Sequence, residues 1–339
     1  MLTTFGQFPA MEFLLTTFDL GYAPHQADFS KPGERGTSLQ QLFARFPDEK
    51  TILQHVFATR FGEDAACPRC CEPCKWTPGA NGRQFFHSKC KTYISPFAGT
   101  LMDRSHIPPS LWLYCMLHMA NSRESLSIHF LSRHLGISLR AAHRMLTRIR
   151  LHLAALDHKS AIGKQGGEVR VQIEQISGMA LPSSRRLNRA LVLLIEADGA
   201  VQTIVLDRNR PHRVRGLLMR RLPDQVRLVS GCVQTQKIIR FYGRYDRPFI
   251  EHKPIASGGL GENAGAITGF LTSFRRGLRL QHQTVSASNF WLFLKEYEFR
   301  YNRRLRSDQI FADMVSCFPI IDKGVETSLR GAYCDLGVE

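Results

Sequence analysis

Two metal-ligand pairs of equal spacing constrain this chain more than any other feature of its sequence. Cys67 and Cys70 are separated by two residues, and after sixteen intervening residues His87 and Cys90 repeat the same spacing. Two short turns of this kind can present four ligand atoms to one Zn²⁺ ion in a tetrahedral arrangement. The pattern therefore predicts a zinc ribbon over residues 61–105 that gains much of its folding free energy from the metal.

Two further cysteines leave the ligand set open. Cys71 and Cys74 form another pair with the same spacing, so either thiol is an alternative to His87 in completing the site. Four protein ligands leave no position for a substrate, which makes the predicted zinc ion structural. The chain has nine cysteines, an odd number, and four of them are scattered, a pattern typical of a reduced, cytosolic protein. A reduced cysteine cluster without metal is the remaining alternative.

The 339-residue chain has a net charge of +16 and a sequence pI near 9.8. A positive field of this size suits a polyanion, and it favours nucleic acid over a membrane surface. No apolar run approaches the roughly 18–20 residues that span a bilayer. The first residues lack the basic region of a signal peptide. We therefore expect a cytoplasmic, nucleoid-associated protein with no membrane partner.

Residues 106–160 have the pattern of a helix-turn-helix region. Gly136 and Ser138 provide a turn and an N-cap between two amphipathic helices. Apolar residues of the second helix recur at i, i+3, i+4 and i+7, which predicts one buried face. Donors for phosphates and base edges occupy its other faces: Arg140, His143, Arg144, Thr147 and Arg148. This layout predicts a recognition helix for double-stranded DNA, and the alternative is a solvated basic face on an ordinary helical hairpin.

The remaining segments complete a prediction of α/β class with several domains. Residues 1–60 form an N-terminal helical segment, residues 165–310 a mixed α/β domain, and residues 311–339 a C-terminal tail with a short helix. Two stretches of the α/β region are strongly basic. Ser183–Arg221 has nine arginines against three acids, and Phe274–Arg306 has eight lysines and arginines against two acids. They predict a surface that binds the DNA backbone.

Seven short segments occur in an order and spacing typical of one protein family. They are Phe43–Glu49, Cys67–Cys70, Gly99–Thr100, Gly167–Ile173, Val226–Gly231, Asn263–Phe270 and Phe299–Arg304. Each segment is a weak match alone, but together, over residues 38–315, they resemble the ISXO-like insertion-sequence DDE transposases. The resemblance implies a zinc ribbon, a helix-turn-helix and a ribonuclease-H-like domain, in that order.

The resemblance also implies a site at which this chain departs from its family. Such transposases transfer phosphoryl groups on DNA with two divalent metal ions, which three carboxylates hold. Carboxylates are needed because anionic oxygen ligands neutralise and position hard cations such as Mg²⁺. At the positions that match the family's acids, this chain has Gln172, Ser230 and Thr268. We therefore expect a degenerate triad, no catalytic Mg²⁺ and no enzymatic activity.

These observations predict a transposase-derived DNA-binding protein, catalytically inactive, that acts as a transcriptional or nucleoid regulator. Homodimer formation and contact with the transcription machinery stay open. The first alternative is an active transposase whose acid set includes Glu174, which lies on the strand face of Gln172 and about 6.6–6.8 Å further along. The favoured interpretation of Glu174, Asp224 and Glu262 is that all three are solvated surface acids. The second alternative is a protein-interaction scaffold.

Overall fold

The structure of the chain, a computed structural model, is of mixed α/β class with helices and two sheets, as predicted. It describes residues 36–62, 65–72, 74–79, 83–122, 125–158, 162–163, 167–175, 190–207, 213–222, 226–230, 235, 251–252, 266–281, 285 and 288–335. The first 35 residues of the predicted N-terminal segment, and the acids Asp224 and Glu262, lie outside the described residues. Within these ranges, no helix combines the length and the apolar character that a membrane crossing needs.

Two helices open the described chain, α1 (Leu39–Arg45) and α2 (Glu49–Phe61). Pro47 lies between them, and a proline disfavours helical geometry in the residue before it. The carboxylate of Asp48 then accepts a hydrogen bond from the amide of Thr51 and so caps the start of α2. The helical pattern of this segment is therefore divided at the proline.

A small antiparallel sheet follows the first helices. Its described strands, in spatial order, are β1 (Thr77–Pro78), β2 (Phe85–His87) and β3 (Thr92–Ile94). The Phe85 ring packs against the Phe57 ring of α2, with 4.3 Å between centroids. Of the residues in these strands, Phe85 and His87 are the buried ones. The small sheet has little core of its own and depends on its neighbours.

Three helices connect the small sheet to the larger one. They are α3 (Pro109–Asn121), α4 (Ile128–Leu135) and α5 (Leu139–Leu156). Pro109 occupies the first position of α3, where its missing N–H has no helical partner to lose. Helix α3 is buried on most sides and lies in a first hydrophobic core with residues of α1, α2, α4, α5 and the small sheet.

Six of the described strands form the larger sheet. In chain order they are β4 (Glu168–Gln175), β5 (Ala190–Ala197), β6 (Ala200–Asp207), β7 (Arg227–Ser230), β8 (Glu251–His252) and β9 (Cys334–Asp335). Their spatial order is β8-β7-β4-β5-β6-β9. Strands β4, β5 and β6 form an antiparallel meander, and the other neighbouring strands are parallel. Asp198 and Gly199 have positive φ between β5 and β6, as a two-residue hairpin turn requires.

The helices that follow β6 pack mainly on this sheet. They are α6 (Arg213–Arg221), α7 (Ala266–Gln281), α8 (Phe290–Asn302), α9 (Ile310–Val315) and α10 (Lys323–Tyr333), with a 3-10 helix over Arg304–Gln309. Helix α6 shares a core with one face of the sheet, whereas α5, α7, α8 and α10 share a core with the other. The sequence predicts a tail with a short helix over residues 311–339. The structure adds a strand there, because β9 pairs with β6 at the sheet edge.

Helix α8 belongs to two cores. Its Phe299 lies in the first core, and its Phe290 lies in the core between the sheet and α7. Four charged side chains of α8 are buried: Lys295, Glu296, Glu298 and Arg300. Lys295 pairs with Glu298, and Glu296 pairs with Arg150 of α5. The helical region and the sheet region therefore share ion pairs as well as apolar contacts.

Candidate metal centre and nucleic-acid interface

The predicted metal ligands lie together beside the small sheet. One ligand atom from each of Cys67, Cys70, His87 and Cys90 lies within 4.8 Å of the others. Cys67 and His87 are buried, and Cys70 and Cys90 are partly exposed. The group could hold a metal ion, and three sulfurs with one imidazole are a donor set typical of structural zinc sites.

The two ligand pairs have the same local backbone geometry. Each pair lies in a turn, and the residue directly after it, Cys71 (φ 58°) or Lys91 (φ 52°), is in the left-handed region. In the first turn the amide of Arg69 donates to Sγ of Cys67 (3.4 Å), and the amide of Cys71 donates to the Cys67 carbonyl (2.8 Å). Such turns bring both ligand atoms of a pair to one side, which is why the two-residue spacing predicts the site.

Local hydrogen bonds favour the thiolate form of Cys67. Burial raises the pKa of Cys67, but the amides of Cys70 and Arg69 and the His87 ring outweigh burial and lower it to about 6. The pKa of Cys90 is raised to about 11, first by its hydrogen bond with Cys70 and then by burial and the nearby thiolate charge. The thiolate of one cysteine therefore disfavours ionisation of the other. A divalent cation would remove this repulsion, because it stabilises several thiolates at once.

The two alternative ligands lie outside the group. Cys71 is exposed, and Sγ of Cys74 faces the carbonyl oxygen of Ala65 at 3.8 Å. Nδ1 of His87 is buried and has no hydrogen-bond partner among the described residues. A buried polar atom without a partner is costly in free energy, so an imidazole in this position fits a ligand better than a core side chain. The residues present therefore fit a bound metal ion.

Helices α4 and α5 form the predicted helical hairpin. Gly136 ends α4 in a left-handed conformation (φ 62°, ψ 28°). The Ser138 side chain caps α5 by accepting a hydrogen bond from the amide of Ala141. The predicted apolar stripe of α5 is buried: Ala142, Met145, Leu146 and Ile149. The helices, the turn and the buried stripe agree with the sequence pattern.

Three of the five side chains predicted to contact DNA are exposed on α5. They are Arg140, His143 and Arg144, which we call the exposed face of α5. Within the described part of the chain, neither arginine forms an ion pair. Thr147 is partly buried, and its hydroxyl donates to the carbonyl of His143 (2.9 Å). The face thus presents cationic donors that no acid among the described residues neutralises.

Arg148, the last of the five residues predicted to contact DNA, has hydrogen-bond partners in another segment of the protein. It is half-buried, and its NH1 donates to the carbonyl oxygens of Leu101 (3.2 Å) and Asp103. Burial, and then the charge of Arg144, lower the pKa of Arg148. These bonds fasten the segment after the small sheet to α5. A contact between Arg148 and DNA stays a prediction, and within the protein this side chain already has partners.

Two of the three degenerate triad positions lie on opposite faces of the larger sheet. Gln172 pairs with Leu194 of β5, whose side chain lies in the core with α7 and α8. Val229 pairs with Arg170, so alternation places Val229 on the face of Gln172 and places the fully buried Ser230 on the other face. Thr268 is exposed in the first turn of α7.

Glu174, the acid considered for an alternative set, has a basic neighbour. Its Oε1 accepts a hydrogen bond from Nε2 of Gln172 (2.5 Å), and its Oε2 lies 3.2 Å from an amino nitrogen of Arg275 on α7. Among the residues that the structure describes, the Cys–His group is the one cluster of three or more His, Cys, Asp or Glu side chains that could hold a metal ion. Glu174 belongs to no such cluster.

Two acids have structural roles that no sequence signal indicates, because their partners are distant in sequence. Glu196 of β5 accepts hydrogen bonds from the amides of Ala266 (2.9 Å) and Ile267 (3.1 Å) at the start of α7. Glu298 accepts hydrogen bonds from the amide and the hydroxyl of Thr203 on β6, both at 2.8 Å.

No protein-family model, curated protein or solved structure matches this chain, so the basis for its function lies in these residues themselves.

Proposed function

We propose that the protein is a transposase-derived DNA-binding protein, without strand-transfer activity, that acts as a transcriptional or nucleoid regulator. The observation that carries this proposal is the exposed face of α5, Arg140, His143 and Arg144, opposite a buried apolar stripe. Guanidinium groups without acidic partners suit phosphate oxygens and the edge of guanine. The net charge of +16 supports the same partner.

We assign Zn²⁺ to the group of Cys67, Cys70, His87 and Cys90. Three thiolates and one imidazole would hold the ion and leave no open position for substrate. The ion would contribute to folding, since the small sheet has few buried side chains. Arg148 joins the segment that follows this sheet to α5, so an ordered ribbon also supports the exposed face of α5.

The strand order supports a ribonuclease-H-like domain. In such a fold, parallel strands join an antiparallel meander beside its first strand, and β7 and β8 join β4 in this way. Gln172, Ser230 and Thr268 are uncharged, and Gln172 and Ser230 lie on opposite faces of the sheet, so these three side chains would not hold two divalent metal ions. Its remaining role would be to position α5 through contacts with α8.

The rival function, an active transposase, requires a carboxylate cluster that includes Glu174. The contact with Arg275 favours the inactive alternative, because that guanidinium compensates the carboxylate without a metal. A strand-cleavage assay with Mg²⁺ or Mn²⁺ separates the two functions. Cleavage that is lost in Glu174→Gln and kept in Glu168→Gln, an exposed acid of the same strand, would establish the active transposase.

DNA binding is tested by fluorescence anisotropy of a labelled duplex over a series of salt concentrations. We expect the logarithm of the affinity to fall linearly with the logarithm of salt concentration. Arg144→Ala is expected to weaken binding by about 1–3 kcal/mol through loss of a base-edge contact. Arg45→Ala on α1 removes another exposed arginine and is the control, with little change expected.

Two outcomes would contradict the proposal. Unchanged affinity in Arg144→Ala would remove the recognition role of α5. Loss of all duplex binding at physiological salt in the wild-type protein would instead favour the protein-interaction scaffold. Both measurements use the full chain, because α5 shares its core with α8 near the other end of the sequence.

A further inference from the structure

A cavity lies beside the exposed face of α5, between that helix and the segment that follows the small sheet. Its volume is about 260 Å³, below the roughly 300–1,000 Å³ of sites for drug-sized ligands. Apolar side chains line it: Ile107, Trp112, Ala141 and Met145. This size and lining suit one planar aromatic group rather than a base pair.

Cationic side chains surround the same cavity. Arg104, Arg140 and Arg144 all contribute to its lining. Arg104 has Asp103 as a neighbour at 3.8 Å, and its side chain is 88% exposed. Neither Arg140 nor Arg144 forms an ion pair within the described residues. The cavity thus combines an apolar interior with guanidinium groups that attract an anion, which is the chemistry of a nucleotide, with its aromatic base and its phosphate.

The wall of the cavity opposite α5 is held in place without a ligand. Nε1 of Trp112 lies 3.3 Å from Oγ of Ser105, and Arg83 donates to the Ser105 carbonyl (2.8 Å). Arg148 fastens Leu101 of the same segment to α5. Because these bonds fix both walls, a ligand would bind without first ordering the segment.

We propose that this cavity binds one nucleoside phosphate unit, with the base inside and the phosphate on Arg140 and Arg144. The source is an unpaired nucleotide in DNA bound by α5, in which case the inference rests on the proposed function, or a free mononucleotide. In DNA the site would let the protein prefer duplexes with a bulged or unpaired base. Extrusion of such a base costs less than extrusion of a paired one.

The first experiment compares a duplex that carries one bulged thymidine with the same duplex carrying a bulged abasic site. Both probes have the same phosphates, so the difference reports the base alone. We expect the wild-type protein to bind the thymidine bulge more tightly by on the order of tenfold. Ala141→Leu fills the cavity and is expected to reduce this ratio to near one. Leu139→Ala changes volume on the same turn outside the cavity and should keep the ratio.

The second experiment uses thymidine 5′-monophosphate, thymidine and inorganic phosphate as separate probes in calorimetric titrations. Binding of the monophosphate alone, and its loss in Ala141→Leu, would support the site with a free nucleotide as the source. Thermal unfolding of both variants checks that they fold as the wild type does.

The combined outcomes separate the cavity from the proposed function. Duplex binding without a base-dependent ratio, together with no binding of the monophosphate, would overturn the cavity assignment and leave DNA binding intact. Failure of duplex binding with cavity-dependent binding of the monophosphate would overturn the proposed function and leave the cavity assignment intact. Absence of both duplex and monophosphate binding would overturn both.

Discussion

Arg150 and Glu296 meet inside the protein, with 2.6 Å between Nε of the arginine and Oε2 of the glutamate. The hydroxyl of Ser125 also donates to this carboxylate (2.8 Å), and Arg150 donates to the same hydroxyl (2.9 Å). The pair joins α5 to α8, and both side chains are at least 96% buried. The orientation of α5 is therefore set by the α/β region as well as by its own hairpin.

Removal of one partner of this pair is expected to destabilise the protein strongly. Glu296→Ala leaves Arg150 buried without a counter-ion, and such changes cost about 3–5 kcal/mol. Urea denaturation of the full chain measures the free energy of unfolding. Glu168→Gln, which affects an exposed pair with Arg227, is the control and should have a small effect. Equal effects of the two substitutions would show that the buried pair has no special role.

The metal site should discriminate between neighbouring cysteines. Cys70→Ser removes one of the clustered ligands and is expected to lower zinc affinity by orders of magnitude, with loss of order in the small sheet. Cys74→Ser alters a thiol that faces the Ala65 carbonyl instead and should retain one zinc per chain. The zinc content of purified variants, by elemental analysis, checks both. A reversed result would place Cys74 among the ligands.

Zinc affinity should rise with pH. The Cys90 thiol, whose pKa is raised to about 11, is protonated at neutral pH and has to lose its proton on binding. Cys67, with its pKa lowered to about 6, also begins to bind protons as the pH falls toward 6. Protons therefore compete with the metal more strongly at low pH. Titration against a chromophoric chelator at pH 6, 7 and 8 tests this, and an affinity independent of pH would contradict it.

His152 should make the protein less stable in mild acid. Burial lowers the pKa of His152 from 6.5 to about 4, despite the bond between its Nε2 and the Met314 carbonyl (2.8 Å). The unfolded chain then binds more protons than the folded chain between these values, so stability falls from pH 6.5 toward pH 4. The full difference corresponds to about 3 kcal/mol. The measurement is the free energy of unfolding at pH 7 and pH 4.5 for wild type and His152→Gln. The variant should lose less stability in acid, because glutamine does not bind a proton in this pH range. The zinc site is the same in both proteins, so its protonation cancels in the comparison.

Replacement by alanine should affect stability at Arg148 and DNA affinity at Arg144. Arg148→Ala removes two hydrogen bonds to carbonyl oxygens and is expected to cost about 1–3 kcal/mol of stability. Arg144→Ala should change stability by less than about 0.5 kcal/mol, as exposed substitutions usually do, and should weaken DNA binding. Urea denaturation measures the free energy of unfolding of both variants, and fluorescence anisotropy measures their affinity for DNA. A stable Arg148→Ala protein with weakened DNA binding would instead make Arg148 a DNA contact.

The metal group and the helical hairpin could be predicted because their signals are local. The spacing of Cys67 and Cys70 depends on the geometry of one turn, and the apolar stripe from Ala142 to Ile149 depends on the period of one helix. The alternatives at Cys71 and Cys74 could not be resolved, since their side-chain directions depend on turns whose spacing is identical in sequence.

The fate of the charged residues could not be predicted, because charge counts carry no information on burial. The composition of Phe274–Arg306 predicts a surface that binds the DNA backbone. In the structure Lys295 and Arg300 are buried beside acids, and Arg303 pairs with Asp157 and Asp313. These three cations compensate internal carboxylates, so the stretch offers fewer free charges than its composition indicates. Arg140 and Arg144 on the exposed face of α5 differ, because neither forms an ion pair among the described residues.

The place of α8 in two cores has a consequence for the synthesis of the chain. A ribosome releases α5 well before it releases α8, so nascent α5 lacks the partner of Arg150 until most of the chain is complete. A product truncated before residue 290 would expose the apolar and charged surfaces that α8 covers. We expect such fragments to be degraded rather than to persist as free competitors for DNA. Under the proposed function, occupancy of DNA would then report only fully translated chains.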